Sequence, residues 1–206
     1  MPKRILIVSR YFWPDKTPES LILYSLANFL VTKGYEVDVL SSLPFENGNQ
    51  KNIDQTRIEI KKGVQIIRIK LSWEKGKSSL IRIKNSLKLA FKTFCLAFKN
   101  NYSVIVSSSN PPIVGPFSGA ISSLINGAKF IYYCMDVTPE VGTINGDFKN
   151  PLFYKTLEII DTLSCLVSNP IIVHSDDMRK TLEKRKFGSK FQFEILNNFS
   201  VKINSN

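Results

Sequence analysis

Short apolar runs alternate along this chain with longer segments in which apolar residues recur every third or fourth position. The first pattern reads as buried strands and the second as amphipathic helices. Residues 4–9, 36–41, 102–108, 129–135, 171–175 and 191–196 fit the strand pattern. Residues 78–100, 113–126, 151–167 and 176–185 fit the helical one. Another helix opens after the loop that follows the first strand. Thr17 is placed to cap it, Pro18 to fill its first position, Leu23, Leu26, Ala27 and Leu30 to form its apolar face, and Gly34 to end it. Residues 43–55 are polar and read as a loop. Segments 57–60 and 64–71, separated by Lys61-Lys62-Gly63, read as a hairpin or one bent strand.

Strand–helix alternation of this kind predicts an α/β fold: a Rossmann-like, doubly wound, mainly parallel sheet with helices on both faces and right-handed crossovers. We expect residues 1–196 to form that domain and 197–206 to begin an interdomain linker or a tail. Ligands in open sheets bind beyond the carboxyl ends of the strands. The apolar run 129–135 stops on Asp136, with Pro139 and Glu140 behind it, so both carboxylates are expected at a binding edge. A turn-forming role before Pro139 is the bland alternative for Asp136. His174, the only histidine, and Ser175 end another strand. A lone histidine there is more often a packed strand-end residue than a general base.

With 206 residues, 43% of them hydrophobic, the chain can bury a core. No segment reads as a membrane-spanning helix, and the first apolar run is too short for the core of a signal peptide, so we expect a cytoplasmic chain. Cys95, Cys134 and Cys165 are widely spaced among apolar residues and suit buried reduced thiols. No metal site or cofactor is expected from them.

The net charge of +11 is unevenly spread, for no acidic residue lies between Glu74 and Asp136. Within that interval Lys77, Lys84, Lys88, Lys92 and Lys99 share one helical face beside a stripe of Leu80, Ile83, Leu87, Phe91, Phe94 and Phe98. One reading is the solvated outer face of a core helix. The other is a peripheral docking element for the anionic inner face of a cell membrane. No aromatic-basic interleaving or recognised motif supports nucleic acid as a partner. The first strand–helix loop lacks the glycine pattern of dinucleotide binders, and neither a Walker loop nor a nucleophile elbow is present.

The stretch Ile5-Leu6-Ile7-Val8-Ser9-Arg10-Tyr11-Phe12-Trp13-Pro14-Asp15, followed by Lys33-Gly34-Tyr35-Glu36-Val37-Asp38-Val39-Leu40, resembles the opening of family 4 retaining glycosyltransferases, which have the two-domain GT-B fold. Ser109-Asn110-Pro111-Pro112, Asp136-Val137-Thr138-Pro139-Glu140, Leu157-Glu158, Ile172-Val173-His174-Ser175 and Ile195-Leu196-Asn197-Asn198-Phe199 follow in the order seen in the branch that builds bacterial surface polysaccharides. The resemblance implies an N-terminal, acceptor-facing half, with the nucleotide-sugar donor held by a C-terminal half that this sequence does not include, and no transfer by this half alone. It also implies a lipid-linked or saccharide acceptor, Asp136 as its hydroxyl ligand or base, and Asp15, Lys16, Thr17, Asn110, Glu140, His174 and Ser175 around it. Where the family carries a glycine pair after the first strand, this chain has Lys16-Thr17-Pro18-Glu19, so only the charge of Lys16 remains to meet a phosphate. Met135 stands where many members have a histidine. A non-catalytic, membrane-docking scaffold that recruits a separate donor-binding partner is the alternative reading.

Overall fold

The computed structural model describes residues 3–46, 49–50, 57–72, 79–144 and 150–197. In chain order they form β1 (Arg4–Val8), α1 (Pro18–Thr32), β2 (Glu36–Ser42), β3 (Phe45–Glu46), β4 (Asn49–Gln50), β5 (Arg57–Lys61), β6 (Val64–Ile69) and α2 (Ser79–Lys99). Then come β7 (Val104–Ser108), α3 (Val114–Asn126), β8 (Lys129–Tyr133), α4 (Glu140–Ile144), α5 (Pro151–Val167), β9 (Ile171–Val173), α6 (Asp176–Glu183), a 3-10 turn at Gly188–Lys190 and β10 (Phe193–Ile195).

Among the described residues eight strands make one sheet in the order β10-β9-β8-β7-β1-β2-β6-β5. Every pairing is parallel except that of β5 with β6. The fold is the Rossmann-like, doubly wound α/β sheet that the strand–helix alternation predicts, with one antiparallel edge. That edge is a hairpin and not a bent strand, because Lys62 and Gly63 both take positive φ, 49° and 80°, which turns the chain back in two residues. The segment read as a loop after β2 contains a small antiparallel pair, β3 with β4; residues 51–56 lie outside the described part.

Alternation along the strands divides the core. Ile5 and Ile7 pack on one face with Ile22, Leu23 and Ala27 of α1, while Leu6 and Val8 pack on the other with Leu89 and Leu96 of α2 and Ala120 of α3. Full burial of a leucine, isoleucine or valine side chain, as at Leu6, Ile7, Val8, Leu23 and Leu89, stabilises the fold by about 1.5–3 kcal/mol. Helix α3 lies close against the sheet because its inward side is small. A Cβ on Gly119 would sit 2.8 Å from the Phe130 ring and 2.9 Å from the Ser107 Cβ.

Helix α2 buries Leu89, Ala90, Thr93, Leu96 and Ala97, whereas Leu80, Ile83, Leu87, Phe91 and Phe98 are exposed. The cysteines are all reduced; Cys134 and Cys165 are buried as expected, but Cys95 is only partly covered. The sequence pattern runs the helix at 176 on to residue 185. The structure ends it at Glu183 and sends Arg185 into the interior, where carboxylates wait for it.

Candidate functional site

The order of strands reverses at β1, which pairs with β2 on one side and with β7 on the other. Open α/β sheets bind ligands above the carboxyl ends of the strands at such a reversal. Here those ends are stitched together by backbone. Arg10 N–H donates to the Asn110 carbonyl at 2.9 Å, Ser109 N–H to the Tyr133 carbonyl at 3.2 Å, and Cys134 N–H to the Ile172 carbonyl at 2.9 Å.

Beneath this edge lies Glu19, in the first turn of α1 and only 4% exposed. Its carboxylate accepts the Ser9 hydroxyl at 2.9 Å on Oε1 and the Asn110 amide at 2.5 Å on Oε2. Burial raises the Glu19 pKa; hydrogen bonds from Ser108, Asn110 and Ser9 oppose that rise, and the nearby Asp136 charge adds to it. The Tyr133 hydroxyl is buried with no hydrogen-bond partner among the described residues. Burial, and then the charge of Glu19, push its pKa up to about 12.

Asp136 is exposed at the end of β8. The turn that presents it is held by Ser109, whose hydroxyl oxygen accepts the Met135 N–H at 3.0 Å and the Asp136 N–H at 3.3 Å. Asn110 therefore ties the β7 end to α1 through Glu19, and its neighbour Ser109 ties the β7 end to Asp136. This is an exposed carboxylate on a rigid base, suited to accept a hydrogen bond from a substrate hydroxyl or to take its proton.

The other expected residues fall around this point in different ways. Thr17 caps α1, its oxygen accepting the Ser20 N–H at 3.2 Å. Asp15 is half-buried in the same loop, and Lys16 is exposed. That loop is anchored by the buried Arg68, which donates to Glu59 at 2.7 Å, to the Ser42 carbonyl at 3.2 Å and to the Trp13 carbonyl. Trp13 is stacked on Tyr24 at 5.9 Å, and the Lys61 ammonium lies 4.4 Å from the Trp13 ring centre.

Glu140 is engaged on both carboxylate oxygens by Arg185, at 2.8 and 2.6 Å. The same guanidinium donates to the fully buried Asp161 at 2.6 Å and to the Thr138 carbonyl at 2.8 Å. Burial favours neutral Arg185, but the Glu140 and Asp161 carboxylates outweigh it and hold the guanidinium charged, above its ordinary pKa. Glu140 is thereby a fastener of the segment behind Asp136. His174 packs as a strand-end residue, with Nδ1 3.0 Å from the Leu196 carbonyl oxygen, Nε2 3.1 Å from the Met135 sulfur and its ring edge-on to Tyr133. Ser175 caps α6, accepting the Met178 N–H at 3.3 Å.

The lysines stand apart on α2. Lys84, Lys88 and Lys99 are exposed and Lys92 half-buried, while Lys77 lies outside the described residues.

Glu19 and Arg185 escape a reading of the sequence. A glutamate in a first helical turn reads as a surface residue complementing the helix dipole. Its partner Asn110 is brought to it only by the pairing of β1 with β7. Arg185 ends a charged helix, and nothing nearby in the chain announces Asp161. Among the described residues no cluster of histidine, cysteine and carboxylate side chains is arranged to hold a metal ion.

The sequence matches no protein-family model and no curated protein. The fold does match solved structures. Among them is sucrose-phosphate synthase from Thermosynechococcus elongatus, with a TM-score of 0.62 and 11% identity over 95% of this chain and 48% of that one. The likeness at this identity is one of fold. The chain spans about half the length of that protein.

Proposed function

We propose that this chain is the acceptor-binding half of a glycosyltransferase. It works with a donor-binding domain to move a sugar from a nucleotide sugar to a lipid-linked or saccharide acceptor in surface polysaccharide synthesis. The observation that carries the reading is the exposed Asp136 carboxylate at the carboxyl end of β8, one strand beyond the β1–β7 reversal of strand order, in a fold that matches half of a glycosyltransferase. The ordered family 4 motifs of the sequence support the same assignment.

In this account Asp136 accepts a hydrogen bond from the attacking acceptor hydroxyl and draws off its proton as the bond to the sugar forms. Ser109 fixes the Asp136 turn, and Glu19 with Asn110 keeps the β1 and β7 ends in register beneath it. Lys16, exposed at the entry to α1, offers charge to a phosphate of the bound substrates. The leaving diphosphate belongs to the other wall of the cleft. Rate enhancement depends on holding both substrates in one closed site and on stabilising that leaving group, so the half alone turns over nothing.

The test is sugar transfer by the chain joined to a donor-binding half, with Asp136→Ala as the variant. Loss of a base of this kind lowers the rate by about 100-fold or more. An undiminished rate in a folded variant removes Asp136 from the mechanism. Turnover by residues 1–206 alone overturns the half-enzyme reading.

A further inference from the structure

We infer that the outward faces of α2 and α5 form a surface that inserts into the headgroup region of an anionic bilayer. Helix α3 packs against both α2 and α5, so the three make one layer over the sheet. The inward side of that layer combines Leu89 and Leu96 of α2 with small residues of α3 and α5, and many of its other large apolar side chains point outward. On α2, Leu80, Phe91 and Phe98 are 75%, 70% and 73% exposed, with Ile83 and Leu87 between them. On α5, Leu152, Ile159 and Leu163 are exposed in the same way. Apolar residues scattered singly over a surface need no explanation, but a run at helical spacing along two helices of one layer does.

Charge chooses the occupant. Lys84, Lys88, Lys92 and Lys99 flank the α2 stripe, and the chain carries no acidic residue from 75 to 135. An apolar stripe with a basic border matches the acyl–headgroup boundary of a bilayer containing anionic lipid. No helix among the described residues is long and apolar enough to cross a membrane, so the contact lies in the plane of the surface. The inference deepens the proposed function by placing the acceptor site beside the membrane that holds a lipid-linked acceptor. Its measurement does not depend on sugar transfer.

The experiment is co-sedimentation of the chain with phosphatidylcholine vesicles with and without about a third of phosphatidylglycerol. Tighter partition onto the anionic vesicles is expected. Phe91→Asp with Phe98→Asp should weaken it by about tenfold or more, and each of Lys84→Gln and Lys88→Gln by about fivefold. These side chains are exposed, so an unchanged unfolding temperature shows that the variants remain folded. As a second readout, Phe91→Trp should give a blue-shifted emission that is quenched by brominated lipid. Equal binding to neutral and anionic vesicles, or no effect of the phenylalanine variants, overturns the inference. So does a stable dimer in solution that the phenylalanine variants dissociate while vesicle binding persists, since the face would then be a self-interface.

Discussion

Replacing Arg185 with methionine keeps most of the side-chain volume and removes the charge that three groups share. Asp161 has no exposure and, among the described residues, keeps only the Tyr132 hydroxyl at 3.1 Å. Glu140 is partly exposed and can be rehydrated, so the cost falls chiefly on Asp161. Stranding one member of a buried ion pair costs about 3–5 kcal/mol, which for a chain of this size lowers the unfolding temperature by roughly 6–20 °C. The sign with pH follows from the same carboxylate. Without Arg185, burial raises its folded pKa further above the unfolded value. The penalty is then absent below the unfolded pKa and grows as pH rises through the gap between the two. Urea unfolding at pH 7 and pH 4.5 should therefore show a larger deficit at pH 7. Asp161→Asn in the Arg185→Met background should recover at least half of it. A deficit below about 1 kcal/mol, one that is equal at both pH values, or no recovery by the second substitution refutes the argument.

Two further substitutions probe the base of the site. Glu19 has a folded pKa raised by burial, so its ionisation destabilises the fold progressively as pH rises above the unfolded carboxylate value. Glu19→Gln should accordingly gain on the parent chain between pH 4 and pH 7 in thermal unfolding, and parallel profiles would contradict the buried-carboxylate reading. Gly119→Ala pushes a methyl group into Phe130 and Ser107, and equilibrium unfolding should report a loss of about 1–3 kcal/mol. A neutral or stabilising result would mean that α3 stands off the sheet.

Much of the fold is legible in the chain because its inner strands, such as β1, β7 and β8, are short apolar runs that a surface element does not tolerate. Helix α5 can be read to its ends, Pro151 and Val167, since Pro151 suits the first helical position and Asn150 caps it by accepting from Leu152 and Phe153. What stays hidden depends on residues far apart in sequence. The pairs Glu19–Asn110 and Arg185–Asp161 are separated by 91 and 24 positions, and no local pattern links them. Helical periodicity shows that α2 has a lysine ridge and a phenylalanine stripe. It does not show which side meets the sheet, and the side that does is a third one, lined by Leu89, Thr93 and Leu96. His174 and Ser175 follow an apolar run that reads as a strand, yet their polar atoms serve the Leu196 carbonyl and the α6 cap. Asp136 is the residue whose expected position and observed exposure agree most simply, because a strand that ends on a carboxylate delivers it to the edge of the sheet.

In the proposed function the carboxyl edge of this sheet holds a saccharide acceptor, and equilibrium binding of the purified chain to a panel of lipid-linked and free saccharides, and separately to nucleotide sugars, decides the matter. Saturable binding of at least one saccharide acceptor is expected, weakened about tenfold or more by Asp136→Ala through loss of a charge-assisted hydrogen bond, with no comparable binding of any nucleotide sugar. Tight nucleotide-sugar binding to residues 1–206, or acceptor binding indifferent to Asp136, would overturn the acceptor-site assignment.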